Sequence, residues 1–357
     1  ASRMASSFLS IASAVSSTCA ASAYGTTTTP LSSAQMTSPG STRTVPVSER
    51  TEATTLRKAQ GVEKEEFANT AEEFVKPDPR EGEQWDMRHI KADVAHETTD
   101  GSRDVLVGVL DSGIDADHPD LAANIDVKNS VNCTDAGTVD RSATGWQPTT
   151  SDHGTHVAGT IGADRNGVGI TGVAPNVRMA SVKVVNDDGF IYPEYAICGF
   201  MWAGLKGMDV TNNSYYIDPF EYWCKDQADQ GAVLDAVGRA VKWSTKQGAL
   251  HVAAAGNSAT DLTNNTTNDT SPNDSTPIER TINNGCLDIP TELPDVVTVS
   301  SYARIGATNE TQLSYFSNRG LNIIDVAAPG SSILSTIVAG NGYGLKSGTS
   351  MASPHVA

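Results

Sequence analysis

Three short polar clusters carry the residue types that could do chemistry in this sequence. The first is Asp111-Ser112-Gly113, directly behind the apolar run Val105-Leu106-Val107-Gly108-Val109-Leu110. A carboxylate at the end of a buried strand can be fixed by packing and aimed into a cleft; it can equally serve as a cap or a metal ligand. The second, Asp152-His153-Gly154-Thr155-His156-Val157-Ala158-Gly159-Thr160, opens polar and continues in small residues, as a helix packed closely on a neighbour would. Its histidines stand three apart, but the nearby third ligand of a helical zinc motif is absent. One histidine is therefore expected to act and the other to pack. The third cluster is Gly348-Thr349-Ser350-Met351-Ala352-Ser353-Pro354-His355. Thr349 or Ser350 can open a helix there, and Pro354 falls where first-turn amides lack partners. A serine hydroxyl at such a start lies near free N–H groups that favour developing negative charge.

The elements that must position these clusters are legible in the apolar pattern. The run Val105–Leu110 is bounded by polar residues, as expected for a strand covered on both faces. Similar runs recur at Met179–Val185, Leu250–Ala255 and Val296–Val299. Between them lie the helix-length segments Tyr192–Lys206 and Ala232–Lys246; the second carries a helical stripe of Val233, Leu234, Val237, Ala240, Val241 and Ser244. Alternating strands and helices predict an α/β three-layer sandwich, with a mostly parallel central sheet and helices on both faces. In such folds chemistry sits beyond the carboxyl ends of the strands, where all three clusters fall.

Composition narrows the partners. Acidic residues outnumber basic ones 42 to 25, and the resulting charge of −17 disfavours nucleic acid and anionic membrane surfaces. No apolar run approaches the roughly 18 residues of a membrane span. Residues 1–48 hold Arg3 and Arg43 but no acid, and Phe8–Ala23 is weakly apolar and ends in Ala21-Ser22-Ala23. Residues 1–23 thus read as an export signal, with a disordered Ser/Thr-rich tail as the alternative. Residues 24–80 read as a Ser/Thr-rich linker or short propeptide, and 81–357 as the folded body. Of five cysteines, Cys19 lies in the leader, which leaves Cys133, Cys198, Cys224 and Cys286. Their spacing fits no zinc site, and their even number agrees with an oxidising compartment. Three pairings are open, as is a set of four unlinked buried thiols.

Taken together, in the chain order Asp, His, Ser, the clusters resemble the subtilisin-like serine peptidases. Asp111-Ser112-Gly113-Ile114-Asp115 with His118-Pro119-Asp120-Leu121 is similar to that family's aspartate segment. His153–Thr160 resembles its histidine segment, Gly348–Ala357 its serine segment, and Ala254-Ala255-Gly256-Asn257 its oxyanion segment. Gly172-Val173-Ala174-Pro175 and Ala328-Pro329-Gly330 extend the resemblance from about Gln84 to the last residue. It implies a secreted, monomeric endopeptidase acting on proteins or peptides, with Ser350 as nucleophile, His153 as base and Asp111 orienting the imidazole. Asn257 and the Ser350 N–H would meet the oxyanion, and His156 would be the packed histidine. No cofactor is required for that chemistry.

The resemblance also implies a substrate pocket walled by Ser214, Tyr215 and Tyr216 on one side and Ala254, Ala255 and Gly256 on the other. Tyr216 stands where the family usually has glycine, so its ring either narrows the pocket or swings to solvent. The polar segment 257–285 is expected at the rim of the cleft. A structural calcium site is implied as well, with side-chain oxygens from Asp120 and Asn166 and carbonyls from Asp164, Val168 and Ile170, and with Glu81 near the family's N-terminal glutamine ligand. The expected disulfides are Cys133–Cys198 and Cys224–Cys286. Only seven residues follow Ser350, whereas family members continue well beyond their serine segment, so the catalytic domain is expected to lack its C-terminal part. The competing reading is a protease-derived peptide-binding protein, or gene fragment, without catalysis.

Overall fold

Strand β1 (Leu106–Asp111) is buried at all six positions, and its two faces feed different cores. Leu106 and Leu110 join Ala180, Val182, Phe200 and Val237 on one side. Val107 and Val109 join Val157, Ile161, Met179 and Met351 on the other. This is the period-two alternation of a strand with both faces covered, and it explains why the run has no polar position. The structure, a computed structural model, describes residues 77–357; the expected export signal and all of the linker up to residue 76 lie outside the described residues.

The strands that follow are β2 (Val131–Asp135), β3 (Thr138–Asp140), β4 (Arg178–Lys183), β5 (Val210–Asn213), β6 (Trp223–Cys224) and β7 (Leu250–Ala254). Two two-residue strands, β8 (Thr267–Asn268) and β9 (Arg280–Thr281), interrupt the long polar segment, and a third, β10 (Cys286–Leu287), follows it. The chain closes through β11 (Val296–Arg304), β12 (Thr311–Leu313), β13 (Val326–Pro329), β14 (Ile333–Ile337) and β15 (Gly342–Lys346). Nine of them form one sheet in the order β12-β11-β7-β5-β1-β4-β2-β3, with β13 also beside β11. The interior pairs are parallel, and only the edge pairs β11·β12 and β2·β3 are antiparallel.

Among the described helices, α1 (Trp85–Ile90) and α2 (Ala92–Ala95) precede β1. Helix α3 (His153–Gly162) packs on the sheet face that carries Val107 and Val109. Helices α4 (Pro193–Lys206) and α5 (Ala228–Lys246) cover the opposite face. The expected α/β three-layer architecture is therefore present. Helix α4 begins on a proline at its first position and ends at Gly207 in the left-handed region, φ 61°, the usual asymmetry of helix ends. Helix α5 buries the whole expected stripe, although it starts at Ala228 instead of Ala232. The serine segment forms only a short helix, α6 (Thr349–Ala352), followed by a 3-10 turn over Ser353–His355. That turn is anchored by His355, whose Nε2 lies 3.0 Å from the buried Asp86 carboxylate of α1.

Both expected disulfides are formed. Cys133 of β2 is bonded to Cys198 of α4, and Cys224 of β6 to Cys286 of β10. The second ties the strand that follows the Tyr215–Glu221 segment to the strand that leads into Asp288.

Candidate active site

Asp111 is the last residue of β1 and is 1% exposed. Opposite it, the hydroxyls of Ser151 and Ser112 accept the helix-opening amides of His153 and Gly154, at 3.2 and 3.0 Å. These two bonds set the start of α3 against the end of β1 and bring the imidazole to the carboxylate. His153 Nδ1 lies 2.8 and 3.0 Å from the two Asp111 oxygens. Burial disfavours the charged imidazole, but the Asp111 charge and hydrogen bond outweigh it, so the pKa of His153 stands above its ordinary value. His156, one turn on, is fully buried, and its Nε2 bridges the carbonyls of Ile333 and Gly344 at 3.1 Å each. It fastens the β14–β15 hairpin to α3, and burial lowers its pKa to about 4.

Ser350 reaches the same cleft from α6. Its Oγ donates to the Ser214 carbonyl at 3.3 Å, and the Ser214 hydroxyl donates to the Ser350 carbonyl at 2.9 Å. Asn257 is held by its Oδ1, which accepts the Thr349 N–H at 2.8 Å and the Thr349 hydroxyl at 3.0 Å. Its amide nitrogen is thereby left to donate elsewhere. A side chain at Gly256 would be strained: the residue sits at φ 96°, and a Cβ there would stand 2.4 Å from Asn318 Nδ2, which would have to shift.

These residues surround one cleft of about 450 Å³. Asp111, His153, Ser350, Asn257, Ser214, Tyr215, Tyr216, Ala254 and Gly256 all reach it; Ala255, expected in the wall, does not. Ala255 follows the last residue of β7, is completely buried, and donates its N–H to Val299, so the strand's alternation turns it away from the cleft.

The Subtilase family profile matches residues 102–357. This chain belongs to the subtilase family. Subtilisin E of Bacillus subtilis (strain 168) is 32% identical over 303 residues, which cover 85% of this chain and 65% of subtilisin E. Subtilisin of Bacillus pumilus is 33% identical over 274 residues, covering 76% of this chain and 81% of its own length. Among solved structures, sphericase superposes with a TM-score of 0.54 at 28% identity, covering 72% of this chain and 76% of sphericase.

In this subtilase Tyr216 borders the cleft with 37% of its surface exposed. Its hydroxyl accepts from Asn273 Nδ2 at 2.8 Å, and burial pushes its pKa up to about 12. Asn273 and Ser258, from the polar segment after Asn257, do line the cleft. Sequence reasoning missed three acidic lining residues, Asp218, Glu221 and Asp288. No motif or periodicity singles them out; Asp288 nears Tyr216 only where segments distant in the chain pack together, with Ile217 N bonded to the Ile289 carbonyl at 2.9 Å.

The loop after α3 also takes the expected shape. Asp120 is fully buried; its Oδ2 accepts from Ile170 N and Tyr343 Oη, while its Oδ1 has no hydrogen-bond partner among the described residues. No hydrogen bond among the described residues uses the carbonyls of Asp164, Val168 or Ile170. Asn166 Oδ1 accepts from Val168 N within the loop. Arg165 turns out of the loop to Asp100, at 3.1 Å. Glu81, expected near the loop, instead accepts from Asp78 N. The carboxylate that reaches the loop is Asp78, which accepts from Gly167 N at 2.7 Å and Thr171 Oγ1 at 2.8 Å. A short 3-10 turn over Glu81–Glu83 folds Glu81 back on its own segment, which explains the difference.

Proposed function

We propose that this subtilase is a secreted serine endopeptidase that hydrolyses peptide bonds through an acyl-enzyme. The observation that carries the reading is the His153–Asp111 pair, 2.8 Å apart, in one cleft with Ser350 and the free amide of Asn257. Asp111 fixes the imidazole with Nδ1 protonated, so Nε2 is the basic nitrogen. His153 takes the Ser350 proton as Oγ attacks the scissile carbonyl. The oxyanion that forms is met by Asn257 Nδ2 and by the Ser350 N–H at the start of α6. His153 then protonates the leaving amine, and water repeats the sequence to release the acyl group. Ser350 Oγ donates to the Ser214 carbonyl at 3.3 Å, and catalytic hydrogen bonds to the base tighten as the substrate takes its place. The two disulfides support an extracellular setting.

The test is a fluorophosphonate probe applied to the full chain. The label is expected on Ser350, to be lost in His153→Ala and retained in folded His156→Gln. A label that survives Ser350→Ala would overturn the reading.

The Tyr216 ring sits where it would restrict large side chains just before the cut bond. Tyr216→Gly is expected to raise kcat/KM for phenylalanine or leucine at that position about 10-fold more than for alanine, since pocket space of one or two methylenes is worth about 1–3 kcal/mol. Peptide anilides differing only at that residue would measure it; a uniform change would place the ring outside the specificity pocket.

The orphaned Asp120 oxygen and the unused loop carbonyls fit a hard cation that prefers oxygen donors. Asp120, Asn166, Asp164, Val168 and Ile170 would hold calcium, whose contribution would be structural cross-linking of the loop. At free calcium a hundredfold above Kd the gain is about 2.7 kcal/mol, or roughly 5–10 °C in Tm. Chelation should lower Tm by that amount in the native chain and leave Asp120→Asn unchanged in a thermal scan.

A further inference from the structure

The cleft is lined by four carboxylates, Asp111, Asp218, Glu221 and Asp288, and by no lysine or arginine. Asp111 is occupied by His153. Asp218 accepts from Ile191 N and, at 2.6 Å, from Asn273 Nδ2. Glu221 accepts from Ser258, Asn268 and Thr270. Asp288 differs from all three. It is 2% exposed, yet neither of its carboxylate oxygens accepts a hydrogen bond among the described residues, and its Oδ1 is fully enclosed. Its other oxygen stands 3.3 Å from where a Cβ on Gly256 would be, directly against the wall that leads to Asn257.

The surroundings make this worse for an isolated charge. Glu292 accepts the Asp288 N–H at 2.7 Å, and Glu221 is close enough to add its own repulsion. Burial, reinforced by these two neighbours, holds Asp288 well above the ordinary carboxylate range, and burial brings Glu292 to about 7. The nearby Arg280 is committed to Asn268 and the Tyr222 carbonyl and forms no ion pair with any of these acids among the described residues. A buried carboxylate without a partner is unfavourable unless a cation or donor arrives to complete it.

The position of Asp288 says what that partner is. Ser214 and Ser350 bond to each other within the cleft, and Gly256 leads into Asn257, which is bonded to Thr349 beside Ser350. Asp288 lines the same cleft as Ser350 and Asn257, and its Oδ2 abuts Gly256, so a side chain lying along the Ala254–Gly256 wall would meet it. The Tyr216 ring hinders broad side chains at the entrance, whereas a slim methylene stem with a charged end passes and can lie along apolar walls. The three carboxylates Asp288, Glu292 and Glu221 do not bring ligand oxygens within 4.8 Å of one another, which argues against a bare metal ion as the partner.

We infer that Asp288 is the specificity-determining carboxylate of this site, receiving the ammonium or guanidinium of a lysine or arginine immediately before the scissile bond. This rests on the endopeptidase reading and deepens it by naming the substrate class. Glu221 adds attraction at the rim, and the long-range field of an acidic cleft draws basic substrates towards it. A charge-assisted hydrogen bond from guanidinium to carboxylate supplies the partner that Asp288 lacks.

The experiment compares peptide anilides with arginine, lysine, leucine, phenylalanine or alanine before the cut bond, using the full chain and Asp288→Asn. The native chain is expected to show kcat/KM for arginine and lysine at least about 10-fold above leucine and phenylalanine. Asp288→Asn should reduce the arginine-to-leucine ratio about 100-fold, the cost of leaving a charge without its partner in a pocket built for it. Should Asp288→Asn fail to fold, inhibition of the native chain by a peptide ending in argininal against one ending in phenylalaninal gives the same answer. Fluorophosphonate labelling of Ser350 with a preference for leucine or phenylalanine would overturn this inference and leave the endopeptidase reading standing. Equal loss on all substrates in Asp288→Asn would also overturn it. Absence of any labelling would sink both.

Discussion

Ser350→Ala is expected to lower kcat by about 10⁶-fold, the size of a lost nucleophile in a Ser–His–Asp enzyme. What remains should be the contribution of Asn257, the Ser350 backbone N–H and substrate binding, roughly 10³–10⁴-fold over water. Because the serine and histidine act as a unit, the double variant Ser350→Ala/His153→Ala should be little worse than either single one. Steady-state hydrolysis of a peptide anilide, with the variant checked for its native thermal transition, measures this. Turnover within tenfold of the native rate would remove Ser350 from the chemistry.

Asp111→Asn should cost about 10⁴-fold in kcat, because an amide in place of the carboxylate selects the wrong imidazole tautomer. It should also move the pH profile in a defined direction. His153 must be neutral to accept the Ser350 proton, so activity rises with pH through the His153 pKa. In the native protein burial lowers that pKa, and the Asp111 charge and hydrogen bond raise it by more, to a net position above the ordinary 6.5. Without the charge, burial is left largely unopposed, and the acid limb of kcat/KM should shift to lower pH even as the plateau falls. An unchanged acid limb would mean that another group controls the profile.

Local pattern made much of this protein readable. Strand β1 was visible because both of its faces are buried and each position must therefore be apolar. Helix α5 was visible because it buries one stripe. Strand β5 escaped for the opposite reason. Its residues Thr211, Asn212 and Asn213 are completely buried but polar, and no apolar run marks them. They are tolerated there because each finds a partner: Thr211 meets His251 at 2.7 Å, Asn212 accepts from Ser353 at 2.6 Å, and Asn213 donates to Val252 at 3.1 Å. Those partners come from other strands and from the serine segment, so nothing near β5 in the chain announces them.

The candidate site divides along the same line. Asp111, His153, Asn257 and Ser350 each sit in a short segment whose own residues set the local geometry: a strand end, two helix starts and a positive-φ glycine. Such arrangements depend on neighbours in the chain, so the sequence by itself determined the family, the layered fold and the candidate chemical groups. The tertiary structure alone decided which wall residue faces the cleft, with Ala254 and Gly256 inside and Ala255 behind, because strand alternation is read from where the strand ends. It alone decided that Asp78, and not Glu81, bonds the loop after α3. It alone also set Asp288 near Tyr216 and Glu221, residues more than sixty positions earlier in the chain. The physical reason is that burial and charge repulsion are properties of a place, and that place is created only when distant segments pack around it.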